Sequence, residues 1–187
     1  MRKLLVLLSF AFLFLPFSLS AVELGGITMP DKLQAGESRL ALNGAGIRSK
    51  FVFDLYVAGL YLTDKNSNAH AIIYSDDSMA LRLHIISSKI TSEKMTKATR
   101  EGFEKSTAGN VEALSAEIEQ FLTAFSDKIV DGDVFEFVYF PNQGVVVSKN
   151  GIQQTLIPSL IFKRALFGIW LSDMPVKAKL KKRLLGE

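Results

Sequence analysis

The fold of this chain is decided by one continuous stretch, GAGIRSK at residues 44–50 followed directly by FVFDLYVAGLYL at residues 51–62. The two glycines at positions 44 and 46 predict a tight corner. The second part is rich in aromatic and β-branched residues, and its odd and even positions are both largely apolar. This pattern predicts a long central strand that is covered on both of its faces. Gly59 within it indicates a bulge or the close approach of another segment.

Arg48 lies next to this predicted corner, at the mouth of the strand. Its guanidinium stays protonated at any working pH and presents a planar set of donors that suits a carboxylate. A half-buried arginine is costly unless an anion pairs with it. The residues alone leave open whether that anion belongs to the protein or to a ligand. Tyr56, on the strand that follows, is a second candidate for a ligand contact.

Residues 1–21 are interpreted as a secretory signal peptide of bacterial type. A short positive segment, MRK, precedes an apolar core at residues 4–15, and small residues at 18–21 suit a cleavage site. The apolar core has only 12 residues, which is too short to span a bilayer comfortably. We therefore expect a periplasmic protein with a single mature domain at residues 22–187.

The composition excludes several classes of function. The chain has no cysteine, which rules out a disulfide scaffold, a thiolate metal site and a cysteine nucleophile. Cleavage would remove Arg2 and Lys3 and lower the net charge from +3 to +1, which gives no argument for a nucleic-acid partner. No Gly-x-Ser-x-Gly elbow, P-loop or dinucleotide fingerprint is present, and the two histidines lie apart. We expect neither a metal nor a cofactor.

Beyond the central strand, groups of predicted strands alternate with groups of predicted helices. Strands are expected at residues 39–42, 79–86, 135–140, 145–148 and 153–156, and helices at 69–74, 92–105, 111–125, 158–171 and after 175. Asn150-Gly151 is a strong hairpin signal. This order favours an α+β fold in which a largely antiparallel sheet packs on helices.

The last predicted helix has a basic face and an apolar stripe. The cations are Lys177, Lys179, Lys181, Lys182 and Arg183, and the stripe is Val176, Leu180, Leu184 and Leu185. Cations near the C-terminus of a helix are favourable, so a solvated face is the ordinary interpretation. A weak contact with a membrane surface is the alternative.

In the order and spacing of several segments, the chain resembles the exported bacterial branch of the chalcone isomerase-like family. The resemblance is carried by LNGAGIR at 42–48, YVAGLYL at 56–62, SKI at 88–90, NG at 150–151, FGIWLSDMP at 167–175 and LK at 180–181. It implies an open-faced β-sandwich, in which a large antiparallel sheet carries helices layered on one side with a cleft between them.

The same resemblance argues against chalcone isomerase activity. In true isomerases of the family, an arginine after the glycines works with a strand threonine, a helix tyrosine, a helix asparagine and a polar residue near the C-terminal helix. Only the arginine is retained, as Arg48. The other positions correspond to Tyr56, to Lys94 or Met95, to Glu101, and to Ile169 or Trp170. Isomerisation needs a positioned polar network, and most of it is replaced.

The family also has non-catalytic members that resemble fatty-acid-binding proteins, in which the arginine and a strand tyrosine hold a carboxylate. This resemblance implies a small amphipathic carboxylate ligand, such as a fatty acid, whose buried tail would contribute ~0.8 kcal/mol per CH₂. We expect its contacts to include Arg48, Tyr56, Lys94 and Trp170.

Two alternatives stay open at this point. In the first, the chain is a structural or interaction domain whose cleft is filled by its own side chains, and Arg48 pairs internally, for instance with Asp54 or Glu101. In the second, it is an isomerase- or lyase-type enzyme of unknown substrate, which would need a titratable group beside Arg48. Lys94, Glu101 and His84 are the candidates for that group.

Overall fold

A computed structural model describes residues 22–187, and the predicted signal peptide at residues 1–21 lies outside the described residues. Its centre is a seven-stranded sheet with strand order β3-β4-β5-β6-β7-β8-β9, in which every neighbouring pair is antiparallel. The strands β1 and β2 form a separate two-stranded hairpin. The bounds are β1 Val22–Leu24, β2 Ile27–Met29, β3 Lys32–Ala35, β4 Ser38–Lys50, β5 Phe53–Leu62, β6 Met79–Ile85, β7 Val134–Phe140, β8 Gly144–Lys149 and β9 Ile152–Ile157.

The helices pack together on one face of this sheet. They are α1 Ala69–Tyr74, α2 Ser92–Ser106, α3 Ser115–Leu122, α4 Leu160–Leu171 and α5 Ala178–Leu184. Side-chain oxygens cap the N-termini of the two longest helices. The Thr91 hydroxyl accepts a hydrogen bond from the backbone N–H of Lys94 in α2, and the Ser159 hydroxyl accepts one from the backbone N–H of Phe162 in α4. The predicted α+β fold with an antiparallel sheet and helices layered on one side is confirmed.

Strand β5 is covered on both faces, as its sequence pattern predicts. Tyr56 and Leu60 belong to the large core beneath the helices, whereas Val57 and Tyr61 belong to a smaller core on the other face. The smaller core includes Met29 of the β1–β2 hairpin. A Cβ atom on Gly59 would lie 2.5 Å from the Cε atom of Met29, so the predicted close approach at this glycine is confirmed.

The corner predicted at Gly44 and Gly46 is wrong, because both residues lie within β4. The turn comes later, between the end of β4 and the start of β5. The glycines are needed for packing instead: a Cβ atom on Gly44 would lie 2.2 Å from the carbonyl oxygen of Arg183 in α5. A Cβ atom on Gly46 would lie 2.8 Å from the Cβ atom of Arg183. The missing side chains therefore let α5 dock on the sheet.

Two helix predictions need smaller corrections. The single helix expected at residues 111–125 is α3 with a 3₁₀ turn on each side, Glu112–Leu114 and Thr123–Phe125. Pro158 precedes the capping residue of α4 and does not begin the helix. The hairpin at Asn150-Gly151 is confirmed, and both residues have positive φ angles, of 52° and 79°.

The apolar stripe of α5 is buried against the sheet. Leu180 and Leu184 belong to the large core, while Lys177, Lys179 and Arg183 remain exposed. A membrane contact through this helix would therefore rest on charge alone. Within residues 22–187, no helix has the length and apolar character needed to cross a bilayer.

Candidate functional site

A cavity of about 560 Å³ opens between α2 and the sheet, beside the turn that joins β4 to β5. Its volume lies within the range of roughly 300–1,000 Å³ that is usual for small-molecule sites. The interior is apolar and is lined by the buried side chains Leu83, Ile90, Met95, Phe121, Phe125, Phe137 and Ile169. A second concavity of about 660 Å³, bounded by α1 and α4, contains none of the predicted site residues.

The four predicted contacts, Arg48, Tyr56, Lys94 and Trp170, all line the first cavity. Arg48 and Tyr56 lie directly opposite each other on β4 and β5, and a bulge follows Arg48. Directly opposed residues in an antiparallel pair share one face of the sheet. Because Tyr56 belongs to the core beneath the helices, the side chain of Arg48 lies on the cavity side as well.

The hydroxyl of Tyr56 is held by Trp170. The indole Nε1 of Trp170 donates a hydrogen bond to the hydroxyl oxygen of Tyr56 at 3.0 Å, and both side chains are buried. Burial raises the pKa of Tyr56, and the hydrogen bond from Trp170 and the charge of Arg48 offset only part of that rise. The phenol therefore stays protonated. Its own proton has no acceptor among residues 22–187.

Arg48 has no carboxylate partner within 4.0 Å in the described part of the chain. Its Nη1 atom donates to the carbonyl oxygen of Ser49. The carboxylate of Asp54 accepts a hydrogen bond from Ser49 Oγ at 2.6 Å, and Glu101 lies at the exposed rim of the cavity. The internal ion pair of Arg48 with Asp54 or Glu101, which one alternative named as examples, is not formed among residues 22–187.

The rim of the cavity is strongly basic. Besides Arg48, the lining includes Lys50, Lys89, Lys94, Lys97 and Lys105, against Glu101 as its one acidic residue. Lys94 lies at this exposed rim, where its Nζ atom donates to the carbonyl oxygen of Lys89 at 3.1 Å. Its place in the lining allows a contact with a ligand at the opening of the cavity, so its predicted ligand contact stays a prediction.

Four of the rim residues carry a signal that the sequence analysis missed. Lys94, Lys97, Glu101 and Lys105 follow one another at intervals of three or four residues. Residues at this spacing lie on one side of a helix. This charged side of α2 lies beside its buried residues, which include Met95 and Phe103, and it therefore indicated which edge of the helix borders the opening.

Several other candidates lie away from the cavity. His84 is on the opposite face of the sheet, because it is paired in register with Val57. Tyr61 belongs to that face as well. Phe103, Phe162 and Phe167 are fully buried core residues that do not line the cavity. Within residues 22–187, no group of three or more His, Asp or Glu side chains is placed to hold a metal ion.

The model of a family described as chalcone isomerase-like matches residues 21–186. The chain belongs to the chalcone isomerase-like family. No curated protein matches it. Among solved structures, the Arabidopsis thaliana fatty-acid binding protein AtFAP1 superposes with a TM-score of 0.67 at 17% sequence identity, covering 86% of this chain and 92% of that chain. At this identity, the likeness shows a shared fold.

In this chalcone isomerase-like chain, the residues that the sequence resemblance assigned to isomerase positions all line one cavity. They are Arg48, Tyr56, Lys94 or Met95, Glu101, and Ile169 or Trp170. Met95 and Ile169 are buried and apolar, while Glu101 is exposed at the rim. The polar side chains of the interior are Tyr56, Trp170 and the buried Thr99, and Arg48 lies opposite Tyr56. Together they suit binding of an anionic group at one end of an apolar space.

Proposed function

We propose that this chain binds a small amphipathic carboxylate, such as a long-chain fatty acid, in the cavity headed by Arg48. One observation carries the proposal. The Tyr56 hydroxyl accepts a hydrogen bond from Trp170 and keeps its own proton free, directly across the strand pair from an arginine without a carboxylate partner among residues 22–187. Both donors line the same cavity, and one anionic acceptor bound there would satisfy both.

A carboxylate matches these donors better than a neutral group does. Arg48 can form charge-assisted hydrogen bonds to both oxygens of a carboxylate, and the Tyr56 hydroxyl can add a third bond. Trp170 is a positioning residue in this scheme, because it contacts the phenol oxygen and orients it. The phenol needs no ionisation in this role, since burial raises its pKa.

The rest of the cavity suits an apolar tail. Seven buried apolar side chains line the interior, and each CH₂ group that they remove from water contributes ~0.8 kcal/mol. The lysines at the rim would raise the local concentration of an anionic ligand. The fatty-acid binding of AtFAP1, which shares the fold, supports this class of ligand. No cofactor is required for binding of this kind.

The chain offers its own reporter for a binding test. Trp170 is the only tryptophan and lies in the cavity wall, so its fluorescence should change when palmitate is added to the purified protein.

The variant Arg48→Ala should bind palmitate at least about tenfold more weakly, since a charge-assisted pair is lost. The matched control is Arg39→Ala, an exposed arginine on the same strand, which should bind like the wild type. Methyl palmitate, which lacks the charged head group, should bind wild type and Arg48→Ala equally.

Native mass spectrometry of the purified protein, followed by extraction, would identify a ligand that co-purifies with it. A carboxylate that is present in the wild type and absent from Arg48→Ala supports the proposal. An empty wild type together with an unfolded Arg48→Ala variant would instead assign Arg48 a structural role and favour the domain with a self-filled cleft.

The proposal includes export to the periplasm. Its support is the charged, apolar and small-residue pattern of residues 1–21. N-terminal sequencing of the protein from the periplasmic fraction should begin within one or two residues of Val22. Recovery of the uncleaved chain from the cytoplasm would contradict it.

A further inference from the structure

The turn between β4 and β5 exposes large apolar side chains. Phe51 is 91% exposed and Val52 88% exposed, and these are the highest values for large apolar side chains among residues 22–187. Phe53, the next residue, is 48% exposed. Three consecutive apolar residues at the tip of a hairpin are unfavourable in water, because each forfeits the free energy that burial would supply.

The backbone conformation of this turn makes phenylalanine an unusual residue at position 51. Phe51 has a φ angle of +55°, in the left-handed region that bulky residues rarely adopt. The β8–β9 turn of the same chain meets the same requirement with Asn150 and Gly151, which are the ordinary residues for it. A phenylalanine thus stands where asparagine or glycine would stabilise the turn. Neither the fold nor the turn geometry accounts for an aromatic side chain at this position.

Cations surround this apolar tip. Lys50 precedes it, and Lys89, Lys94 and Lys97 line the rim of the same cavity to which Phe51 and Phe53 contribute. The Nζ atom of Lys89 lies 5.5 Å from the centre of the Phe53 ring. The neighbouring acidic groups are Asp54 and Glu101, both exposed. Basic side chains therefore predominate around an apolar projection, which is the arrangement that binds the interface of an anionic bilayer.

We propose that the β4–β5 turn inserts into the surface of an anionic lipid bilayer, so that the basic cavity mouth faces the membrane. Phe51 and Val52 would enter the interfacial region, while the lysines would contact lipid phosphates. This surface differs from the basic face of α5, whose apolar stripe is buried. Bilayer docking does not depend on the identity of the ligand. Exchange of an amphipathic ligand between bilayer and cavity is the added consequence, and that part rests on the proposed function.

A second copy of the chain suits this surface less well than a bilayer. Pairing two tips would bring two lysine-rich rims together, and like charges at close range are destabilising. An anionic bilayer supplies both the apolar medium for Phe51 and Val52 and the opposite charge for the rim. The charge of the surface therefore favours lipid as its partner.

Flotation with vesicles tests the docking. The purified protein should bind vesicles made of equal parts phosphatidylcholine and phosphatidylglycerol, and should bind phosphatidylcholine vesicles weakly. Val52→Asp should reduce binding to the anionic vesicles at least about tenfold, because a charged side chain replaces an inserted apolar one. The matched control is Ile161→Ser, which changes a side chain that is 64% exposed at the opposite end of the sheet, in the first turn of α4. It should bind like the wild type.

A second variant separates docking from folding. Phe51→Asn places a residue that readily adopts positive φ at this position, so its melting temperature should equal or exceed that of the wild type while vesicle binding falls. A structural role for Phe51 predicts the opposite change in melting temperature. Unchanged vesicle binding by both variants, or no binding of the wild type to anionic vesicles, would overturn the inference. A wild-type dimer that Val52→Asp dissociates would also overturn it, in favour of a second copy.

The two proposals fail in distinguishable ways. Val52 does not line the cavity, so Val52→Asp should bind palmitate in vesicle-free solution as the wild type does. Loss of vesicle binding with unchanged palmitate titration supports docking. Vesicle binding by a protein that never binds palmitate would leave docking intact and contradict the proposed ligand.

Discussion

Trp170 and Tyr56 are joined by a buried hydrogen bond of 3.0 Å between the indole Nε1 atom and the phenol oxygen. The bond joins α4 to β5 in the wall of the cavity. An indole N–H can only donate, whereas a phenol can both donate and accept. The direction of the bond therefore leaves the phenol proton as the group that can contact a ligand, and it makes the orientation of Tyr56 depend on a residue from a distant part of the chain.

The Tyr56–Trp170 pair should show energetic coupling. Tyr56→Phe leaves the Trp170 N–H buried without an acceptor and should lower the free energy of unfolding by about 1–3 kcal/mol. Combining Tyr56→Phe with Trp170→Phe should cost less than the sum of the single variants by about 0.5–1.5 kcal/mol. Urea unfolding followed by far-UV circular dichroism measures both. Tyr74→Phe, at an exposed tyrosine, is the control, and strictly additive costs would argue against the bond.

Gly44→Ala should weaken the docking of α5. The added Cβ atom would meet the carbonyl oxygen of Arg183 at 2.2 Å, and a backbone atom cannot yield as a flexible side chain can. We expect a loss of about 1–3 kcal/mol in the free energy of unfolding, together with faster tryptic cleavage in residues 177–183. Ser38→Ala, at the start of the same strand, should change neither quantity. Protection from trypsin equal to that of the wild type would contradict the packing role of this glycine.

Asp133 should contribute a pH-dependent part of the stability. Burial raises the pKa of its carboxyl group, but hydrogen bonds from Asn150 and the Val130 N–H, with the ammonium of Lys149, outweigh this and hold the pKa below its usual range. A carboxyl whose pKa is lowered on folding stabilises the protein above its unfolded pKa of about 4, and this contribution is lost as the pH falls through the folded value.

The corresponding measurement is the melting temperature as a function of pH. Asp133→Asn should be less stable than the wild type at neutral pH, and the difference should shrink as the pH falls below about 4. Asp127→Asn, at an exposed position, should follow the wild-type curve throughout. If the melting-temperature curves of Asp133→Asn and the wild type run parallel over the whole pH range, the Asp133 carboxyl does not contribute to the pH dependence of the stability.

Lys163 should be essential for the position of α1. Its fully buried Nζ atom donates to the carbonyl oxygens of Ile72, Ile73 and Ser75, at 3.1, 3.0 and 2.8 Å, where α1 ends. Burial lowers the pKa of Lys163 to about 8, so the ammonium with its three donors still predominates at neutral pH. Lys163→Met keeps most of the volume but removes the ammonium donor from these buried carbonyls, of which only that of Ile72 has a second side-chain donor among residues 22–187, Ser75 Oγ. It should cost about 1–3 kcal/mol.

Hydrogen exchange gives the test for Lys163. The amides of α1 should exchange faster in Lys163→Met, while those of the central strands should keep their protection. Lys179→Met, which removes an exposed lysine from α5, should leave the exchange pattern unchanged. Unaltered protection of α1 in Lys163→Met would mean that packing alone holds this helix.

The elements that the sequence predicted well depend on local patterns. The two apolar faces of β5, the turn at Asn150-Gly151 and the helix expected at residues 92–105 each follow from residue types at short, regular spacing. The glycines at 44 and 46 were misread because glycine satisfies two different needs, a turn and a close approach, and local sequence does not separate them. The choice between the two depends on α5, which lies at the other end of the chain.

The amino-acid sequence by itself determined the α+β class, the central strand, and the choice of Arg48 and Tyr56 as candidate ligand contacts, because periodicity, turn chemistry and charge are properties of neighbouring residues. Only the tertiary structure decided that Trp170 donates to Tyr56, that Arg48 has no carboxylate partner in residues 22–187, and that lysines from β4, α2 and the segment before α2 share one rim. These relationships join residues far apart in the chain. They arise because burial of the apolar faces brings β4, β5, α2 and α4 together around one cavity.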